Sequence, residues 1–307
     1  MMRFDRGNVA FGRHETFPLR YGWLSKAFRA IEADPAILRD DRAIADLGVG
    51  KNMRNSMAYW LRACRLIEPS QHVFPNKLGQ LVFSRNGADP YLEDEATIWL
   101  LHWLICSNPT QATSWFWFFN KFHKVEFSAE EVQTALNDYV KDQVQEKEQP
   151  SSSTLKSDAN LLPRMYSRSE VAKSKPIEDA LDSPFTLLGL VSQSGRQRFF
   201  SSAPQQRDAL PSEIMGFAVL ELLDALSVES LLVEDLLYSR GDLPAPGSIF
   251  RLTEQALIGK LEQLVDAYPA YFRLDDTAGL HQLFRTQPIS ALEMLQAYYQ
   301  SYIGEVA

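Results

Sequence analysis

The sequence contains little cysteine and little histidine. Only 2 cysteines and 5 histidines occur among 307 residues, and Cys64 and Cys106 lie in apolar stretches without C-x-x-C spacing. Zinc sites and disulfide frameworks need closely spaced ligands or an even set of paired cysteines, so the sequence predicts neither. Two isolated cysteines are typical of a protein kept in a reducing compartment, and we expect a cytoplasmic protein.

Long hydrophobic runs and a secretion signal are also missing. One of the longest apolar runs, TIWLLHWLIC at residues 97–106, is too short to cross a bilayer as a helix. No basic segment followed by an apolar segment opens the chain, as it would in a signal peptide. We therefore expect no membrane association. With 45% hydrophobic and 23% charged residues, the composition is that of an ordinary globular protein.

No compact catalytic motif is present. The string GVGKN at residues 48–52 is too short for the phosphate loop G-x-x-x-x-G-K-[ST], and Asn52 replaces the hydroxyl that would bind magnesium. The D-x-n-E-x-K and H-N-H strings of metal-dependent nucleases are absent as well. We therefore expect no nucleotide hydrolysis at this loop, and residues for any other chemistry must be scattered along the chain.

Charge is distributed unevenly along the chain. The net charge is -8, yet residues 1–92 contain 14 Lys and Arg against 9 Asp and Glu, a net of +5, which leaves -13 for the remainder. A positive front segment can face a polyanion such as DNA, whereas the acidic remainder repels one.

Three helices are predicted in the front segment. A hydroxyl cap at Thr16 and a first-turn Pro18 predict the start of the first helix, in which Leu24, Phe28 and Ile31 recur on one face. A short second helix over residues 40–48 ends at a glycine, and a tight turn leads to the third.

The third helix, over residues 51–67, separates apolar and basic side chains. Its apolar stripe contains Met53, Met57, Trp60, Leu61 and Cys64, and its opposite side contains Lys51, Arg54, Asn55, Arg62 and Arg65. A basic third helix after a tight turn is typical of a helix-turn-helix, in which that helix enters the major groove. Lys51 would contact a phosphate and Asn52 an adenine edge. The alternative is that the basic face is simply solvated.

The remaining sequence predicts a mainly α protein in three parts. Residues 1–92 are expected to form a winged helix-turn-helix that binds DNA, and residues 93–150 an aromatic-rich helical extension. Its tryptophans could stack on bases, but a buried core is the better interpretation. Polar residues 141–153 are typical of a linker or disordered loop. Residues 151–307 should form a second helical domain, in which a helix capped by Thr253 and a following hairpin suggest a winged-helix-like C-terminus.

A first candidate site lies in the opening stretch, FGRHETFPLRYGWLSK at residues 11–26. His14 could act as a general acid or base, and Glu15 could hold a metal ion or orient a water molecule. Arg13, Arg20 and Lys26 could clamp phosphates. Alternatively, His14 and Glu15 are hydrogen-bonding residues that fix this segment against the first helix.

A second candidate site combines Lys156, Asp158, Arg164 and Tyr166. Tyr166 could attack phosphorus covalently while Lys156 and Arg164 contact DNA and stabilise the developing charge. No cluster of histidines with metal-ligand spacing accompanies the tyrosine, so a structural or partner-facing role is the alternative. Pro163 is expected to interrupt the helix that would carry these residues.

Several long strings resemble one bacterial family, catalogued as domain of unknown function 4007. They include LGVGKN, YWLRACRLI, DPYLEDEATIWLLHWLI, TSWFWFFN, STLKSDANLLPRMY and GSIFRLTEQAL, and the likeness covers nearly the whole chain. Members of this family resemble the B component of Ssp-type single-strand DNA phosphorothioation systems, which replace a non-bridging phosphate oxygen by sulfur and couple that mark to anti-phage defence.

The resemblance implies a function and a set of partners. It implies a DNA nickase that acts with a cysteine desulfurase, an ATPase and a sulfurtransferase-like ATP pyrophosphatase, and Mg²⁺ or Mn²⁺ would assist the nicking step. Two alternatives remain open: a non-catalytic DNA-binding adaptor that recruits the sulfur-transfer enzymes, and a repressor of its own operon. The sequence also leaves open a homodimer, the DNA target and the identity of metal ligands.

Overall fold

A computed structural model describes residues 2–39, 42–68, 73–168, 183–194, 199–277 and 279–306. The fold is mainly α, as expected, with two small antiparallel sheets. A continuous set of buried apolar side chains extends from Met2 in the front segment to Tyr299 near the C-terminus. In the described part of the chain, no helix is long and apolar enough to cross a membrane.

Within its described residues, the front segment contains four helices and one 3₁₀ turn. These are α1 (Trp23–Ala33), the 3₁₀ turn Ile37–Arg39, α2 (Arg42–Leu47), α3 (Lys51–Ala63) and α4 (Lys77–Phe83). α1 packs on α3 and buries Leu24, Phe28 and Ile31, which confirms the predicted apolar face. An isolated antiparallel bridge joins Ile67 to Pro75 between α3 and α4.

The predicted start of the first helix is wrong. α1 begins at Trp23 after Gly22, which has a φ of 74°. Thr16 has a φ of 67°, in the left-handed region, whereas a helix-capping residue has extended backbone. Thr16 therefore belongs to the preceding loop and cannot cap α1.

The aromatic helices form the centre of the core. They are α5 (Glu95–Cys106) and α6 (Thr113–Asn120). Every residue of α6 is buried, and α5 is buried from Ala96 to its last residue. The tryptophans at positions 99, 103, 115 and 117 are at most 3% exposed, which confirms their interpretation as core. Cys64 and Cys106 are free, buried thiols.

A unit that we call the middle unit, residues 113–201, starts at α6. It continues with β1 (Glu126–Ser128), α7 (Ala129–Gln143), the 3₁₀ turn Glu146–Glu148, α8 (Ser152–Tyr166), the 3₁₀ turn Pro184–Leu188, β2 (Ser192–Gln193) and β3 (Phe199–Ser201). The strands pair antiparallel in the order β1-β3-β2. Ser128 and Glu131 form a capping box that starts α7. The predicted linker, residues 141–153, is only partly a connection, because residues 141–143 end α7 and residues 152–153 begin α8. Between the helices Val144 is buried and residues 145–148 are exposed, and α7 and α8 pack on each other.

Pro163 does not interrupt α8, contrary to the prediction. The helix runs from Ser152 to Tyr166 with Pro163 in its last turn. A proline there removes one backbone hydrogen bond near an end of the helix that already has unpaired carbonyl groups, and the side chain is buried in the core. Lys156, Asp158 and Arg164 therefore share one continuous helix.

A second unit, the C-terminal unit at residues 212–285, is followed by a final helix. Its elements are α9 (Ser212–Leu226), β4 (Ser230–Leu232), α10 (Val233–Leu237), α11 (Pro246–Ile249), α12 (Glu254–Ala267), β5 (Phe272–Thr277) and β6 (Leu280–Arg285), and α13 (Ala291–Val306) follows. The Thr253 hydroxyl accepts from the Ala256 amide and caps α12, and β5 and β6 form the expected hairpin.

Candidate nucleic-acid interface

The loop that precedes α1 has an unusual backbone. Gly12, Glu15 and Thr16 have φ values of 68°, 50° and 67°. Residues other than glycine rarely adopt this left-handed region. A Cβ atom on Gly12 would lie 2.6 Å from Cγ2 of Thr154 on α8. Strained loops of this kind persist only where surrounding contacts hold them. We call residues 11–17 the front loop.

A buried hydrogen-bond network joins the front loop to α8. The Thr16 amide donates to Nδ1 of His14 at 3.0 Å, so Nε2 carries the hydrogen and donates to Oδ1 of Asp158 at 2.8 Å. Asp158 also accepts from the Gly12 amide at 3.0 Å and from the Ser114 hydroxyl at 2.5 Å. His14 and Asp158 are 0% and 1% exposed. The two sites predicted separately thus meet through one carboxylate.

This network fixes the loop and keeps both groups away from solvent. A DNA phosphate cannot reach His14 or Asp158 in this conformation, because His14 is enclosed by the rings of Tyr59 and Trp115 as well as by its hydrogen bonds. The geometry agrees with the alternative in which His14 fixes the opening segment. Arg13 and Glu15 lie on either side of His14. Arg13 is exposed and Glu15 is half-buried.

A cleft of about 670 Å³ lies beside the front loop, and we call it the front cleft. The front loop, the 3₁₀ turn, α3 and the residues before α6 form its walls. The polar lining side chains are Asn8, Arg13, Glu15, Arg39, Arg54, Asn55, Tyr59, Arg62, Thr110 and Gln111. Four of them are arginines, and Glu15 is the one carboxylate among the described lining residues. The front cleft is therefore positively charged.

The electrostatics of the front cleft favour an anion. Burial, and secondly the charge of Arg39, lowers the pKa of the Arg62 guanidinium. Two cations that repel each other in a partly desolvated cleft are stabilised by any anion that enters between them. The Nη1 of Arg62 donates to the carbonyl of Ala58 at 3.3 Å, which holds the guanidinium along α3. A phosphate is the anion whose geometry best fits several guanidinium groups.

Arg54 occupies a position different from the one predicted. It was expected on the exposed face of α3, but only 6% of the residue is exposed. Its Nη2 donates to Oδ1 of Asn55 at 3.3 Å, within the front cleft. Arg54 lines the front cleft together with residues of the 3₁₀ turn and the front loop, although little of its own surface is exposed.

Arg65 does not belong to the basic face on which it was predicted. Its guanidinium donates to both carboxylate oxygens of Glu221 on α9, at 2.7 and 3.1 Å. The indole of Trp103 donates to the same carboxylate at 2.7 Å. Arg65 lies beyond the end of α3 at Ala63 and has a φ of 52°, so the third helix is shorter than the predicted range 51–67. The pair joins the segment after α3 to the C-terminal unit.

Several other predicted DNA-binding residues lie outside the front cleft. Lys51 and Asn52 are exposed at the start of α3, and Lys26 is exposed on α1. The guanidinium of Arg20 lies over the ring of Trp23, 5.3 Å from its centroid. Lys156 and Arg164 are also exposed, on α8. The structure thus brings together five of the predicted residues, which are Arg13, Glu15, Arg54, Asn55 and Arg62.

Tyr166 is part of the core. It is 0% exposed, and its hydroxyl donates to Nδ1 of His102 at 2.9 Å, while Nε2 of His102 donates to the carbonyl of Ile249 at 2.8 Å. Burial raises the pKa of Tyr166 well above its usual value. A phenol that is buried and hard to ionise is poorly suited to attack phosphorus.

Five polar lining residues were not predicted from the sequence: Asn8, Arg39, Tyr59, Thr110 and Gln111. Arg39 ends the 3₁₀ turn, and Thr110 and Gln111 precede α6. Arg39 contributed to the positive charge of the front segment, which was the available signal. No helical face includes it, and Thr110 and Gln111 lie far along the chain, so neither periodicity nor spacing could place them at the cleft.

The described residues do not form a metal-binding cage. Among them, no group of three or more His, Cys, Asp and Glu side chains converges. Magnesium can instead bind through one or two carboxylates together with substrate phosphates and water. Glu15 fits that second arrangement, since it lies in a cleft that also suits a phosphate.

Comparison with known proteins agrees with the resemblance seen in the sequence. Two solved structures are similar, with the titles "SspB crystal structure" and "Magnesium ion-bound SspB crystal structure", at 28% and 26% identity. Each has a TM-score of 0.83, and each match covers 96% of this chain and 89% of the other. No curated protein sequence matches the chain. The family model "Protein of unknown function (DUF4007)" matches residues 11–299, and the chain therefore belongs to the DUF4007 family.

Proposed function

We propose that this protein is the DNA-binding component of a DNA phosphorothioation system and that it nicks one DNA strand at the front cleft. The similarity to SspB over 96% of the chain supports a place in such a system. The observation that carries the proposal is the cluster of four arginines that lines the front cleft.

The front helices would place this cleft on DNA. We propose that α1, α2 and α3 act as a winged helix-turn-helix, with residues 1–92 as a DNA-binding domain. Lys51 and Asn52 at the exposed start of α3 would contact the duplex next to the cleft. Lys26 on α1 would add a phosphate contact from the same segment.

Nicking requires attack on phosphorus and stabilisation of the charge that develops on the phosphoryl oxygens. Arg13, Arg39 and Arg62 would bind the phosphate and stabilise that charge. Glu15 would orient the attacking water, whose proton passes to solvent, and solvent would protonate the departing sugar oxygen. His14 and Asp158 would act as positioning residues, because their hydrogen bonds hold Arg13 and Glu15 at the cleft.

A divalent ion would join the site together with the DNA. We propose Mg²⁺ or Mn²⁺, with Glu15 as its protein ligand beside phosphate oxygens and water. Such an ion would neutralise charge on the reacting phosphate. The arginines of the cleft oppose binding of a cation by the free protein, so the phosphate must enter first or with it.

A plasmid assay tests the nicking activity. Supercoiled plasmid is incubated with the purified protein and Mg²⁺ or Mn²⁺, with and without a chelator, and the open-circular product is measured on a gel. We expect open circles with metal and none with the chelator. Arg62→Ala should lower the rate by about 100-fold, the usual loss when one charge-stabilising donor is removed. Glu15→Gln should lower the nicking rate more than Arg62→Ala does.

A matched control shows whether a loss of nicking is specific to the front cleft. Glu148→Gln changes an exposed carboxylate outside the cleft, so this variant should nick at the wild-type rate. Absence of open circles with either metal would refute nicking. Equal rates for Glu15→Gln, Arg62→Ala and Glu148→Gln would show that the front cleft is not the site.

A non-catalytic adaptor is the second candidate, favoured by the acidic face of α12. Glu254, Glu262 and Asp266 are exposed on this helix, and they suit a protein surface better than DNA. We propose that the C-terminal unit contacts the cysteine desulfurase, the ATPase or the sulfurtransferase-like ATP pyrophosphatase. Salt-sensitive DNA binding and stable association with one of them, without nicking, would identify the adaptor.

A further inference from the structure

The middle unit and the C-terminal unit repeat one order of elements. In the middle unit, α6, β1, α7 and α8 precede the β2–β3 pair. In the C-terminal unit, α9, β4, α10 and α12 precede the β5–β6 pair, with the four-residue helix α11 inserted between α10 and α12. The sheets have corresponding orders, β1-β3-β2 and β4-β6-β5, with all neighbours antiparallel. This is the element order of a winged helix, whose third helix enters the major groove of DNA. In the middle unit, the third helix is α8.

One side of α8 exposes a continuous line of polar side chains. Ser152, Lys156, Asn160 and Arg164 are all exposed, and a spacing of four residues places them along one face of the helix. The buried side chains of α8 lie on its other faces; they are Leu155, Asp158, Ala159, Leu161, Leu162, Pro163, Met165 and Tyr166. We call the exposed line the α8 stripe.

The α8 stripe is positively charged without a compensating carboxylate. The only acidic residue of the helix, Asp158, is buried and bonded to His14. Within the described ranges, neither Lys156 nor Arg164 takes part in an ion pair. These two cations can therefore bind phosphates without first breaking an ion pair.

We propose that the α8 stripe binds duplex DNA in the major groove. Eight residues separate Lys156 from Arg164, a rise of about 12 Å along the helix, which is close to the width of the major groove. The two cations can therefore reach phosphates on opposite sides of the groove. Asn160 lies midway between them, where an amide can pair with an adenine edge.

The α8 stripe is a surface separate from the front cleft. Asp158 contacts the front loop and lies about 200° around the helix from Lys156, so the stripe points away from the front loop. Binding at the stripe does not rest on nicking at the front cleft. A protein with both surfaces would hold DNA at two places.

Anisotropy measurements with a labelled 20-base-pair duplex at 50–200 mM salt test the stripe. The stripe variant is Lys156→Ala with Arg164→Ala, and the matched control is Lys141→Ala with Lys147→Ala, which removes the same charge from exposed positions outside the stripe. We expect the stripe variant to bind about tenfold more weakly at 50 mM salt. Its salt slope should fall by about 1.8, or roughly 0.9 for each lost phosphate contact. Equal thermal unfolding of all variants checks the fold.

A front-cleft variant, Arg39→Ala with Arg62→Ala, separates the two surfaces. Suppose that the stripe variant and the control have the same DNA affinity and salt slope while the front-cleft variant binds weakly. The stripe inference is then wrong, and DNA binds at the front cleft. If only the stripe variant binds weakly, the α8 stripe binds DNA and the front cleft does not. A stripe variant that keeps its DNA affinity but loses a partner protein would also overturn the inference.

Discussion

The middle and C-terminal units have the same order of elements but opposite surface charge on the third helix. α8 exposes Lys156 and Arg164, whereas α12 exposes Glu254, Glu262 and Asp266. The strand order is equivalent in the two sheets, so topology cannot explain the difference. Two similar scaffolds can thus present one surface suited to a polyanion and another that repels it.

Three arginines of the C-terminal unit, at positions 240, 273 and 285, pair with carboxylates of the same unit, whereas Arg251 is buried and donates to backbone carbonyls. Arg240 pairs with Glu234 at 2.6 Å and Arg285 pairs with Asp224 at 2.6 Å, so these cations are neutralised within the unit. In the middle unit, Lys156 and Arg164 have no such partners among the described residues. Lys156 and Arg164 are therefore available to an anion, whereas these three arginines are not.

The first prediction concerns His102, which bonds to both units. His102 accepts from Tyr166 of the middle unit and donates to Ile249 of the C-terminal unit, and burial lowers its pKa to about 3. In the unfolded chain a histidine has a pKa of about 6.5. Between these values only the unfolded chain binds the proton, so stability falls as pH decreases from about 6.5 to about 3. The loss at the bottom of this window should be on the order of 4 kcal/mol.

Two measurements check this pH dependence. Histidine ring signals followed by NMR should show His102 as neutral imidazole down to about pH 4. Urea unfolding of His102→Gln should lose this part of the acid sensitivity, while His281→Gln, a change on β6 away from the contact, should keep it. A ring signal for His102 that titrates near pH 6.5 would contradict the prediction.

The second prediction concerns Asp158, which ties the middle unit to the front loop. Asp158→Ala leaves three buried donors without an acceptor, those of His14, Ser114 and Gly12. We expect a loss of about 3 kcal/mol in the free energy of unfolding, measured with urea. The matched change in the C-terminal unit, Glu262→Ala, removes an exposed carboxylate and should cost less than about 0.5 kcal/mol. Equal losses of unfolding free energy in the two variants would show that the hydrogen bonds of Asp158 do not stabilise the fold.

Local features of the fold were predictable from the sequence. The apolar faces of α1 and α3, the Thr253 cap and the β5–β6 hairpin each depend on residues close together in the chain. Periodicity and capping chemistry report such features directly. The interpretation of the tryptophans as core succeeded for a similar reason, since few charged side chains interrupt those helices.

The candidate site was predictable only in part. His14 and Asp158 are 144 residues apart in the chain, and no spacing rule could show that they bond to each other. Arg39 reaches the front cleft from a short 3₁₀ turn without an amphipathic face. The front cleft therefore depends on tertiary packing, whereas its positive charge was visible in the composition of residues 1–92.

The third prediction separates paired from available cations and involves the smallest change. Arg285 is bonded to Asp224 and Glu229 at the surface of the C-terminal unit, so Arg285→Ala should lower the free energy of unfolding by about 1 kcal/mol, and by less in 1 M salt. It should leave DNA affinity unchanged. Lys156→Ala should leave the free energy of unfolding unchanged, because Lys156 forms no ion pair with the described residues. It should weaken DNA binding and make that binding less dependent on salt. Urea unfolding and anisotropy on the same two variants measure both quantities. If Arg285→Ala weakens DNA binding as much as Lys156→Ala does, pairing within the C-terminal unit does not remove its arginines from DNA, and the division between the two units fails.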